Sequence, residues 1–245
     1  MKPLKLLMFA AALSATISAT AQTGDEIMEK HEKAIGGVES WNKINSVILK
    51  GAISQGGMEI PITQTIVPGK AMRTDIAFMG MSGFSIVTKT DGWMYMPFSG
   101  SKKVDTMKPD MVKASQKQMD LKGQQLLDYK AQGKKAEFAG KDSVKSTVCY
   151  KVKLSDKDGN DAFGYFDCAT YYLLRFDTKV KTDEQEEEVS VSFGDYKKVD
   201  NNIVFPHSIT LMGTAVTLAS VDFNKPVDDN LFVPKIPEAA ETDKK

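Results

Sequence analysis

The chain has 245 residues, carries 32 Lys plus Arg against 32 Asp plus Glu, and is 42% hydrophobic, so its formal net charge is zero. That length and apolar content suit one large all-β or α+β domain, or at most two, with a sizeable core. A balanced charge without a basic stripe argues against a nucleic-acid surface.

The first residues contain Lys2 and Lys5, an apolar run from Leu6 to Ala19, and the small-x-small triplet Ala19, Thr20, Ala21. The run is shorter than the ~20 residues a spanning helix needs, so residues 1–21 are predicted to be a secretory signal peptide cleaved after Ala21. The expected product is an exported, periplasmic protein. It begins at Gln22 and is slightly acidic, because both lysines leave with the signal. No cysteine stands at the cut, so a lipid anchor by the usual route is not expected. Residues 22–236 are read as one domain and the polar residues 237–245 as a disordered tail.

Thr23 and Glu26 form a capping-box pattern, and Ile27, His31, Ala34 and Ile35 recur at helical spacing until Gly36 and Gly37 stop the helix. A short amphipathic piece follows around Trp41 and Ile44. Val47, Leu49 and Ile53 then alternate with polar or small residues, and Met58, Ile60, Ile62 and Ile66 return after a turn at residues 55–57. That is an antiparallel pair with one wet face.

Between residues 71 and 98 the alternation breaks down, because apolar groups occupy both faces of consecutive strands. In TDGWMYMPFSG (90–100), Trp93 and Tyr95 share one face while Met94, Met96 and Phe98 share the other. Nine of the thirteen methionines lie between Met58 and Met119, a concentration typical of surfaces that accept apolar partners of variable shape. An ordinary core roofed by the protein's own helices is the competing reading. Period two is then lost over residues 107–129, where Pro109 and Asp110 open a predicted helix with Met111, Ala114 and Met119 as its apolar residues.

Alternation resumes after Ala136. The turn signal at residues 157–160 predicts a hairpin, and a two-residue Asp158-Gly159 loop would set Cys149 opposite Cys168. Facing cysteines can bond in an oxidising compartment, whereas a one-residue slip leaves two free thiols. Further strands are expected at residues 171–177, 189–193, 203–211 and 215–223, making roughly ten strands with two or three helices. Sequential hairpins imply one continuous antiparallel sheet curved into a partial or closed barrel.

No catalytic constellation is legible. His31 sits on the apolar stripe of the first helix, and His207 shares strand parity with Phe205 and Ile209, so both read as core or rim histidines. Gly80, Met81, Ser82 and Gly83 miss the spacing of a nucleophile elbow, and the glycines before Lys134 and Lys141 lack a phosphate-loop pattern. No metal-ligand spacing occurs, and Glu184, Glu186, Glu187 and Glu188 read as a solvated edge or loop. No cofactor is expected.

Asp91, Gly92, Trp93, Tyr95, Pro97 and Phe98, followed by a lysine- and methionine-bearing helical segment, resemble the periplasmic LolA-like carriers that sort lipoproteins to the outer membrane. The resemblance continues in Ala34 to Gly37, Val67 to Lys70, Tyr150 to Leu154, and Pro226 to Phe232. It implies a mainly β (α+β) fold: a curved antiparallel sheet forming an open half-barrel, with an N-terminal helix and short lid helices on the concave side. Residues 107–129 would belong to the lid. Those carriers have an arginine before the proline where this chain has Val67, so the resemblance does not bring their lid latch with it. It further implies a non-enzymatic, monomeric carrier of lipoprotein acyl chains or other lipid, with inner-membrane donor and outer-membrane acceptor proteins as partners. Ile76, Phe78, Phe84, Ile86, Trp93, Met94, Met96, Met107 and Met111 are the residues expected to line the groove or touch the lid. An envelope structural or protein-interaction module is the second reading, and a hydrolase with an unrecognised site the third.

Overall fold

The computed structural model describes residues 22–181, 186–200 and 202–236. Residues 1–21, expected as a signal peptide, residues 237–245, expected as a tail, and Glu184 lie outside the described residues. Helix α1 (Gly24–Ala34) starts on the expected capping box, in which the Thr23 hydroxyl accepts from the Glu26 amide and the Glu26 carboxylate accepts from the Thr23 amide. Gly24 is required there, because a Cβ would stand 2.6 Å from the Ala136 carbonyl. After α2 (Val38–Asn42) come six strands: β1 (Val47–Gln55), β2 (Met58–Val67), β3 (Ala71–Phe78), β4 (Met81–Thr88), β5 (Gly92–Tyr95) and β6 (Asp105–Thr106). Helices α3 (Pro109–Gln116) and α4 (Leu121–Gln124) follow. Seven more strands complete the chain: β7 (Lys135–Val144), β8 (Thr147–Ser155), β9 (Asp161–Asp167), β10 (Leu173–Lys181), β11 (Glu186–Lys198), β12 (Val204–Leu211) and β13 (Thr214–Phe223).

All thirteen strands belong to one antiparallel sheet in the order β6-β5-β4-β3-β2-β1-β13-β12-β11-β10-β9-β8-β7. The sheet is curved and open, a half-barrel with β6 and β7 as its edges. It consists of two meanders joined at the centre, where Val47 of β1 pairs with Phe223 of β13. At that seam Gly51 faces a bulge, and a Cβ there would lie 2.1 Å from the Thr217 carbonyl oxygen. This order has a consequence for the lid. The first meander ends on one edge and the second begins on the opposite edge, so residues 107–134 must cross the whole width of the sheet.

They cross on the concave face. Met107, Val112, Met119 and Leu127 pack there with Val47, Leu49, Ile66, Met72, Val87, Phe205 and Phe223, and Trp41 and Ile44 close the same cluster. Beyond it, Ile27 and Met28 of α1 pack with Leu126 and Tyr129 on Val152, Leu154 and Phe166. The opposite face of β3 to β5 carries a third cluster in which Ala71, Phe84, Ile86 and Tyr95 meet Phe232. Phe232 comes from a C-terminal strap, a 3-10 turn at Asp229–Phe232 held by an Arg73 guanidinium bond to the Leu231 carbonyl (2.9 Å) and a Lys70–Asp229 ion pair.

Two expectations need correction. The β8–β9 loop spans five residues, because the Asp156 carboxylate accepts from the Asp158 and Asn160 amides and from the Asn160 side chain, each at 2.9 Å. Register therefore slips by one, Cys149 pairs with Asp167, and both Cys149 and Cys168 are free thiols. The second concerns α3, which buries Val112 and leaves Met111 45% exposed, so its apolar face is rotated by one residue from the expected one.

Candidate functional site

Between the middle of the sheet and the crossing segment lies an apolar cavity of about 530 Å³. Its floor comes from both meanders: Val47 and Leu49 of β1, Ile62 and Ile66 of β2, Phe205 and Ile209 of β12, and Val216 and Leu218 of β13. Phe176 of β10 and Val191 and Phe193 of β11 form one wall. Gln118, Leu121 and residues 123–126 of the crossing segment form the roof, with Gln64 and Lys134 at the sides. These sheet residues share a face because side chains alternate along each strand and the antiparallel registers keep like parities together, as in Val47 opposite Ile66 and Phe193 opposite Ile209.

The roof is held by the buried side chains of Met119, Leu126 and Leu127 and by a set of polar contacts. The Gln64 amide donates to the Gln118 side chain (3.4 Å), Gln116 donates to the Thr88 and Lys89 carbonyls, Lys122 to Asn42, and the Asp128 amide to Glu32 (2.8 Å). His31 is 1% exposed, and its ring nitrogens each sit 2.9 Å from a carbonyl oxygen: Nδ1 by Tyr171 and Nε2 by Gln125 of the roof. A neutral imidazole donates to only one of them. Burial lowers the His31 pKa and the two carbonyls oppose that shift, with burial prevailing. Each such bond contributes about 1 kcal/mol net, beside the apolar burial of Met119, Leu126 and Leu127 from the same segment.

None of the nine residues expected at the groove lines this cavity. Phe84 and Ile86 lie on the other face under the strap, and Trp93 packs against them. Met94 and Met107 are on the concave face but fill the core beneath α3 with Met72, Val87 and Val112. Phe78 meets Phe98 edge to face (5.7 Å), and both Phe98 and Met96 crowd Gly83, where a Cβ would lie 2.9 Å from the Phe98 ring. Ile76 pairs with Ile62 across β2 and β3, on the same face as the cavity floor but outside its lining, and Met111 is exposed. The residues that were missed belong to β1, β2 and β10 to β13, whose regular alternation marked them as ordinary core. Crossing-segment residues 118–126 were within the expected lid.

His207 Nδ1 bonds the Phe205 carbonyl (3.0 Å), and both ring nitrogens of His31 sit against carbonyl oxygens. Among the described residues no three His, Cys, Asp or Glu side chains are placed to hold a metal ion. Glu186, Glu187 and Glu188 are exposed on β11. Arg73 does not touch the lid; it stacks over Phe84 and pairs with Asp75 (2.7 Å) on the strap side.

Neither a family model nor a curated protein matches the sequence. The structure is similar to that of a DUF1329 family protein from Desulfovibrio piger, with a TM-score of 0.54 and 14% identity over 90% of this chain and 99% of that one. It is also similar to a LolA superfamily protein from Nitrosomonas europaea, with a TM-score of 0.50 and 10% identity over 87% and 98% of the two chains. At these identities the likeness concerns architecture. An open antiparallel half-barrel with its helices on the concave side is the LolA-like fold, and this chain has it.

Proposed function

We propose that the protein is a non-enzymatic periplasmic carrier that holds an acyl chain of a lipoprotein or related amphiphile and helps move it toward the outer membrane. The observation that carries this reading is the cavity of about 530 Å³, walled by aliphatic and aromatic side chains and roofed by the segment that crosses the concave face. Its size falls within the 300–1,000 Å³ typical of small-molecule sites. An acyl methylene gains about 0.8 kcal/mol on leaving water, so a carrier competes with a bilayer only by offering such an enclosed apolar volume. A catalytic group would add nothing to that task. Residues 1–21 are the proposed export signal, and an inner-membrane donor and an outer-membrane acceptor are the proposed partners of a monomeric carrier.

Native mass spectrometry of protein purified from its own envelope tests this reading. Co-purifying acyl-chain mass supports it. A stoichiometric protein partner without lipid would instead support an interaction module. Val216→Trp, which narrows the cavity from its floor, should weaken uptake of a long-chain fluorescent fatty acid, and unchanged uptake would sink the assignment of the cavity.

A further inference from the structure

The walls of the cavity also bear on what kind of head group its ligand carries. Its polar lining consists of the amides of Gln64, Gln118, Gln124 and Gln125 and a single charged side chain, Lys134. Among the described residues no carboxylate lines it. The Lys134 ammonium donates to the Gln132 side chain (3.0 Å), Gln132 in turn donates to the Leu127 carbonyl (3.1 Å), and the Lys134 amide bonds the Tyr129 carbonyl. Lys134 forms no ion pair among the described residues. Lys134 is half-buried at the edge of the cavity, with its ammonium beside the exposed Gln132. Gln132 and Lys134 are joined through Leu127 and Tyr129 to the roof itself.

From this charge pattern we infer that the cavity is built for a single-chain amphiphile with an anionic head group, carboxylate or phosphate, seated beside Lys134. The inference rests on the carrier reading and adds the class of ligand. Volume suits a single chain: about 530 Å³ is the scale of a site for one small molecule. Charge argues for the head. An anion entering an apolar mouth loses hydration and needs a cation to replace it, whereas an uncharged head would leave Lys134 partly desolvated without compensation. The uncharged glutamine amides around it supply donors without repelling an anion.

The test compares hexadecanoate with 1-hexadecanol, equal in chain length and different in charge, by displacement of a fluorescent probe from wild type and Lys134→Met. Wild type should bind the carboxylate about tenfold more tightly than the alcohol, a preference that weakens with added salt. Lys134→Met should lose the preference while keeping its affinity for the alcohol, which also shows that the variant is folded. Equal binding of both ligands by wild type, or a preference that survives in Lys134→Met, overturns the anion site and leaves the carrier reading standing. Binding of neither ligand to wild type overturns both. A hexadecyl phosphate arm separates the two head groups: tighter binding than the carboxylate assigns the site to phosphate, and weaker binding assigns it to carboxylate.

Discussion

Affinity for a series of saturated carboxylates should rise steeply with chain length and then stop. Each methylene moved from water into the cavity contributes about 0.8 kcal/mol, which is about fourfold in dissociation constant. Four added carbons therefore tighten binding by roughly two orders of magnitude while empty volume remains. The limit comes from the cavity: once the chain covers its apolar walls, further methylenes stay in water and the gain per carbon falls away. Competition against a fluorescent fatty acid, with every ligand below its micellar concentration, measures the series from eight to twenty-two carbons. Val216→Trp should move the plateau to shorter chains, because it occupies the floor between β12 and the β1 seam. Affinity that ignores chain length, or that rises without a plateau across the series, would refute a bounded apolar site.

Three further outcomes follow from the same coordinates. Phe232→Ala removes a ring that is 8% exposed among Ala71, Phe84, Ile86 and Tyr95, and should lower urea stability by about 3–4 kcal/mol; a loss below about 1 kcal/mol would mean the strap is not part of the core. His31 has a folded pKa below its ordinary 6.5, so the unfolded chain takes up the proton first on acidification. Its contribution is complete above pH 6.5 and is lost as pH falls through the depressed value, at up to about 1.4 kcal/mol per pH unit, and His31→Gln should lack that slope between pH 7.5 and 5.5. Finally, Cys149 and Cys168 should both react with a thiol reagent in denaturant without prior reduction, whereas a mass gain of ~2 Da on reduction would show them bonded.

Features set by near neighbours were legible before the fold was known. The capping box at Thr23 and Glu26, the helix opened by Pro109 and the tight turn at Gly56 and Gly57 depend on hydrogen bonds and backbone angles within a few residues. The two-sided apolar strand around Trp93 and Met94 was also a sound signal. It marks two covers, the strap's Phe232 on one face and Val112 of α3 on the other. What sequence order conceals is which segments arrive there. Alternation says that Phe193, Ile209 and Val216 point inward but carries nothing about Val47 facing Phe223, 176 residues away in the chain. That seam places the meander ends on opposite edges and sends residues 107–134 across the concavity, so the cavity forms at the centre of the sheet and not beneath the methionine-rich strands. The alternation of side chains belongs to each strand alone, whereas an enclosed apolar volume exists only once distant strands and a crossing segment share it.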